Sequence, residues 1–274
     1  MHYNNTPPTE LRRLIRAKVI AGQTAGMSAG YLQANVVILP ASNALDFFRY
    51  CQRNPKPCPI VGVSDTGSSS FPLLAEDMDI RTDIPKYNVF RNGELEQQLL
   101  NIEELWQEDF VTFALGCSHT FEDALVEAGF DIWHLKNGAT VPMFKTSIQT
   151  VPCGPFHGPM VVTMRAIPEN RLAEAVEICK QFPLAHGAPV HIGEASQIGI
   201  ADLASPDWGD AAPVPDGCIP VFWACGVTPQ MALLNAKIPL SVTHTPGCML
   251  VTDISDRSEI PVLGQSFPLD HYLP

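Results

Sequence analysis

One arrangement in this chain occurs twice and limits what the rest can be. In VTFALGCSHTFEDALVEAG, residues 111–129, a continuous apolar run ends in Cys117 and a helix-forming segment follows at once. VFWACGVTPQMALLNAK, residues 221–237, repeats the arrangement around Cys225. An apolar run without alternation is what a strand covered on both faces requires. A helix begun directly behind it lays the chain back over a sheet. Two such junctions predict an α/β fold: a mixed or parallel sheet with helices on both faces. Thr120 and Thr228 read as helix caps, with Asp123 completing a capping box and Pro229 at the first helical position. Ligands of open α/β sheets gather beyond the carboxyl ends of strands, where helix N-termini favour anions. The junctions therefore predict a site for a small carboxylate, with Gly226, Thr228 and Gln230 among its binding residues.

The segments between the junctions supply the remaining organisation. Residues 10–21 read as a helix stopped by Gly22, and VVILP as a short buried strand followed by a helix. RNGE at residues 91–94 reads as a hairpin turn. Residues 131–167 are rich in strand-like runs, DIWHL among them, and PENRLAEAVEICKQF supplies one amphipathic helix. These predict a smaller α+β subdomain at 131–183, inserted in a main domain made of 1–130 and 184–274. Residues 185–217 form a long Pro/Gly-rich polar connection, a length at which a loop is usually functional. Apart from the two junctions no internal repeat is visible.

Composition narrows the function. The 274 residues carry a net charge of -12, the wrong sign for a nucleic-acid partner. No apolar run approaches the roughly 20 residues of a membrane span, and the first residues lack the apolar core of a secretory signal. The expected compartment is the cytoplasm, with reduced cysteines. No two cysteines form a C-x-x-C pair, and the histidines match no recognised metal motif. The expectation is a small-molecule protein without metal or cofactor, with homo-oligomerisation left open.

Several residue types carry chemistry. Cys117 and Cys225 lie at helix mouths, where thiolates are favoured. His186 and His191 flank GAPV in the long connection, and either would serve as a base near neutral pH. Asp202 or Asp207, nearby in sequence, would orient that base or donate a proton. His244 follows an apolar run in THTPG. Arg16 and Arg165 would each clamp a carboxylate.

AGQTAGMSAGYLQANVVILP, GCSHTFEDAL, FHGPMVVTMR, AHGAPVHIG and VFWACGVTPQ together resemble the bacterial hydro-lyase family related to D-glutamate cyclase, from about Arg16 to Asp253. The resemblance implies an α/β fold with a smaller second domain. It also implies loss of water from a small amino or hydroxy acid, D-glutamate giving 5-oxo-D-proline in the related cyclase. His119, the Cys153 segment and Glu194 depart from the family pattern; an aromatic residue is expected at 119, so the resemblance gives His119 no catalytic role. Cysteine-based acyl transfer and carboxylate binding without turnover are the rival readings.

Overall fold

A computed structural model describes residues 3–257. In chain order its elements are α1 (Pro8–Arg16), β1 (Tyr31–Pro40), α2 (Ala41–Arg53), β2 (Ile60–Val63), β3 (Tyr87–Arg91), β4 (Glu94–Leu99) and β5 (Phe110–Gly116). There follow α3 (His119–Glu127), α4 (Trp133–Asn137), β6 (Met143–Gln149), β7 (Pro159–Pro168) and α5 (Leu172–Lys180). The chain continues through β8 (His191–Ile192), β9 (Cys218–Ala224), α6 (Val227–Ala236), β10 (Ser241–His244) and β11 (Leu250–Ser255). Asn92 and Gly93, both at positive φ, make the predicted hairpin between β3 and β4. DIWHL does not form a strand; its last three residues begin α4, closed by Gly138 in the left-handed conformation.

The strands form two sheets, ordered β2-β5-β1-β10-β3-β4 with β11 also on β1, and β6-β7-β9-β8. The α/β character agrees with the sequence reading, but the strand direction differs: every pairing is antiparallel. β8 and β9 belong with β6 and β7, so the second sheet draws on residues beyond the 131–183 segment. Residues 1–2 and 258–274 of the expected main domain lie outside the described residues.

The two sheets contain the same four-stranded unit. In the first, β2-β5-β1-β10 is flanked by α2; in the second, β8-β9-β7-β6 is flanked by α5. β1 and β7 are each ten residues long and each ends in proline. Ala34 pairs with Gly116 in one unit as Val162 pairs with Ala224 in the other. Thus β1 corresponds to β7, β5 to β9, and α3 to α6. The helix leaving each unit packs on the other unit's sheet. Phe121 and Leu125 of α3 join Ile167, Val221 and Trp223 of β7 and β9. Ala232 and Leu233 of α6 join Val37, Leu39 and Phe113 of β1 and β5. This exchange is why strand–helix junctions do not imply a parallel sheet here: the helix crosses to a different sheet instead of returning to its own. The opposite face of the first sheet, through Ala34, Val36 and Ile38, is closed by Phe71, Leu74, Met78, Ile80 and Ile84, which lie in an irregular segment and not on a helix.

Candidate active site

The exchange brings both junctions to one place. Cys117, Ser118 and His119 from the first, and Cys225, Gly226 and Val227 from the second, line a single pocket with Asn35, Thr163 and His244. Asn35 and Thr163 occupy corresponding positions on β1 and β7. The pocket measures about 30 Å³, and a wider cleft of about 490 Å³ adjoins it across Thr140, Met143, Val227 and Pro246. The N–H groups of Ser118 and Gly226 have no acceptor among the described residues, so each helix mouth offers the pocket a donor.

Local bonding shows why each junction has its sequence. The expected threonine caps are not caps: α3 and α6 start at His119 and Val227, behind Ser118 and Gly226. The threonines tie each helix to the other elements instead. Thr228 Oγ1 accepts the Val161 N–H at 2.9 Å, and Thr120 Oγ1 accepts the Gln33 N–H at 3.3 Å. Each thiol receives the N–H two residues ahead; Val227 N lies 3.5 Å from Cys225 Sγ, and His119 serves Cys117 likewise. Burial pushes the Cys117 thiol up to about 12 and the Cys225 thiol to about 11, despite these bonds. Both are therefore protonated at neutral pH, which removes the thiolate expected at a helix mouth.

His244 lines the pocket. Its Nδ1 lies 3.0 Å from the Val36 nitrogen and 3.3 Å from the Val36 carbonyl, and its Nε2 lies 3.3 Å from the Gln230 amide nitrogen. Burial lowers the His244 ring to about 4. Arg165 stands one layer behind the pocket wall. Its Nη2 donates to Ser118 Oγ at 3.1 Å, its Nη1 to Thr163 Oγ1 at 2.9 Å, and its Nε to Glu122 Oε1 at 3.0 Å. His134 Nε2 lies 2.9 Å from the same Glu122 oxygen. Burial would raise the Glu122 carboxyl, but His134 and Arg165 outweigh it and hold the group well below the usual carboxylate range.

The other expected site residues stand elsewhere. Arg16 is taken by Asp77 and Asp83. His186 is buried at the foot of β2, donating to the Lys56 carbonyl at 2.9 Å, and is lowered to about 4 by burial. His191 donates to the Glu194 carbonyl at 2.8 Å. Asp202 accepts the Ala204 N–H and the Ser205 hydroxyl of its own turn, and Asp207 holds Lys145. None of these five lines the pocket. No residue of the long connection lines the pocket, so nearness in sequence to a polar Pro/Gly-rich loop does not locate a base. Asn35, Thr163, His119 and Glu122 were not among the expected site residues. The signal available for His119 and Glu122 was their place in the first turn behind Cys117. Among the described residues no group of three His, Cys, Asp or Glu comes together to hold a metal, and no helix is long and apolar enough to cross a membrane.

Paired strand–helix mouths and buried histidines thus line one pocket on a duplicated α/β scaffold. Comparison with known proteins places the chain in a family. The D-glutamate cyclase family profile matches residues 111–253, which include both junctions. Three curated relatives carry the name "putative hydro-lyase". That of Dinoroseobacter shibae is 59% identical over 94% of this chain and 86% of its own length. That of Ruegeria pomeroyi is 57% identical over 93% and 92%, and that of Bacillus subtilis 50% identical over 92% and 98%. The protein belongs to the D-glutamate cyclase family. A nitrogen repressor-like protein from Methanococcus jannaschii matches with a TM-score of 0.40 at 11% identity, covering 90% of this chain and 98% of that one. At that level of likeness no activity passes from one protein to the other.

Proposed function

We propose that the protein is a hydro-lyase that removes water from a small amino-acid carboxylate in the pocket between the two helix mouths, D-glutamate to 5-oxo-D-proline being the reaction. The observation that carries the reading is the meeting of both junctions around one pocket. Glutamate brings two carboxylates, and each mouth has one backbone N–H, of Ser118 and of Gly226, without an acceptor among the described residues. In the cyclisation the ammonium loses a proton, the amine attacks the side-chain carboxyl carbon, and a C–O bond breaks. Two protons leave nitrogen, and both end on the departing oxygen, which leaves as water. The intermediate carries an oxyanion, and a fixed N–H at the Gly226 mouth is suited to holding it in a site closed to solvent. Burial keeps both thiols protonated, so covalent acyl transfer has less support. The substrate would enter through the adjoining cleft. Incubating the purified protein with D- and L-amino acids and hydroxy acids, followed by mass spectrometry, tests the proposal. Loss of one water from D-glutamate is expected; no loss of water from any member of the panel would overturn it.

A further inference from the structure

The duplicated units allow the two halves of the site to be compared position by position. His119 and Glu122 in the first junction correspond to Val227 and Gln230 in the second, and Arg165 on β7 corresponds to Val37 on β1. Val37 sits in an apolar cluster. Its counterpart is a guanidinium 3% exposed, set over the rings of Phe121 and Trp223 at 5.0 and 5.3 Å. A buried ion pair gives little net stability compared with an apolar side chain of the same size. The first half thus carries charges that the fold does not require, since the second half makes the same junction without them.

Two atoms in that charged half are unspent. His119 Nδ1 and Glu122 Oε2 are both sealed from solvent, and neither has a hydrogen-bond partner. They lie in the first turn of α3 at a spacing of three, which puts the side chains on one face of the helix. Native proteins rarely leave such groups unpaired. Glu122 is fixed through its other oxygen by Arg165 and His134, while His119 lines the pocket.

We propose that His119 is the catalytic base and acid of the dehydration, and that Glu122, held by Arg165 and His134, is the positioning residue that receives its Nδ1–H when the ring becomes charged. This rests on the proposed dehydration. Nε2 takes the ammonium proton and passes it to the leaving oxygen, then repeats the transfer for the second proton. Gln230, the counterpart of Glu122, faces His244 at 3.3 Å and bears no charge, so the second junction binds while the first moves protons. The groups facing His119 are Cys117 and Glu122 beside it, His134 from α4, Arg165 from β7 and His244 from β10. In the free protein burial lowers His119 to about 4, with Glu122 opposing. An anionic substrate would raise it toward neutrality.

The test combines turnover with a titration that does not depend on turnover. H119Q should lower kcat on D-glutamate at least about a hundredfold with little change in KM, and added imidazole should restore part of the rate of H119A. The His119 ring is followed by NMR in histidine-labelled protein, its signal identified by its loss in H119Q. Its midpoint should be higher in wild type than in E122Q. E122D, which keeps the buried charge but withdraws it from His119, should also lower the midpoint and carries the comparison if E122Q does not fold. Wild-type kcat in H119Q, from a protein that turns over D-glutamate, overturns the assignment and leaves the dehydration standing. If the wild type turns over nothing, the dehydration fails, and the titration alone decides the pairing: an equal midpoint in wild type and the Glu122 variants overturns it.

Discussion

Gly226 is the tightest point of the site, and replacing it by alanine gives a sharp prediction. Its backbone is ordinary helical, with φ -66°, so conformational freedom is not why glycine is there. A Cβ at this position would stand 2.1 Å from the Cγ and Nδ2 of Asn35 and 2.2 Å from its Oδ1. The Asn35 amide cannot step aside freely, because its Nδ2 donates to the Gly116 carbonyl at 2.8 Å. Relieving the clash means either moving α6 or turning the amide away. Overpacking of this kind costs about 1–3 kcal/mol, and a buried bond left unmade about 1–3 kcal/mol more. Gly226→Ala should therefore lose about 2–5 kcal/mol, which for a chain of this size lowers Tm by roughly 5–15 °C. Urea unfolding followed by circular dichroism measures the loss. The reasoning also requires coupling. In an Asn35→Ala background the space is open, so adding Gly226→Ala should cost at least about 1 kcal/mol less than in wild type. Equal costs in the two backgrounds would refute the contact as the cause, and an unchanged midpoint in the single variant would refute the clash itself.

Other outcomes follow from the same geometry. Cys117 and Cys225 should resist alkylation at neutral pH, and each serine variant should fold and keep turnover within about tenfold, because a protonated thiol accepting a backbone N–H is not a nucleophile; loss of all turnover in either, with unchanged circular dichroism, would contradict this. Thr228→Ala should cost about 1–3 kcal/mol in urea unfolding, since it strands the buried Val161 N–H. Stability should fall as pH drops from about 6.5 toward 4: His119, His186 and His244 are held neutral in the fold, each lowered to about 4, so the unfolded chain binds protons first. Asp123, raised by burial to about 6, and Asp256, also raised by burial, oppose this trend, but they are two groups against three; a Tm that rises on acidification through that window would count against neutral buried rings. Millimolar 5-oxo-D-proline should raise Tm, by about 2.7 kcal/mol of added stability at a hundredfold excess over Kd, and no shift across a panel of small carboxylates would remove the anion pocket.

Part of this was legible in the sequence. The two junctions were visible because apolar runs and helix starts are local signals, and they did mark the pocket. The Asn92–Gly93 hairpin was legible for the same reason. Strand direction was not: a strand followed by a helix looks the same whether the helix returns to its own sheet or crosses to another, and only long-range pairing decides. The duplication was hidden because Val37 and Arg165, or Gln230 and Glu122, fill equal places with unlike residues. What survived was the Cys-x-x-Thr spacing of the junctions and the prolines ending β1 and β7. The threonines read locally as caps, since nothing local reveals that Thr120 and Thr228 bond β1 and the start of β7 instead. His186 and His191 stand out by their loop, yet one nitrogen of each holds a backbone carbonyl, of Lys56 and Glu194, and neither ring lines the pocket. His119 lies two residues from Cys117, but the family resemblance, which favours an aromatic residue there, gives it no role.

The central claim is that water is lost in the pocket where the two helix mouths meet. It is tested most directly by following D-glutamate over time with chirally resolved mass spectrometry, in wild type and in Thr140→Trp. Thr140 sits half-buried between the pocket and the adjoining cleft, so an indole there closes the entrance. Wild type should produce 5-oxo-D-proline, and the variant, with unchanged circular dichroism, should not. Absence of product from wild type, or equal rates in the two, would contradict the account.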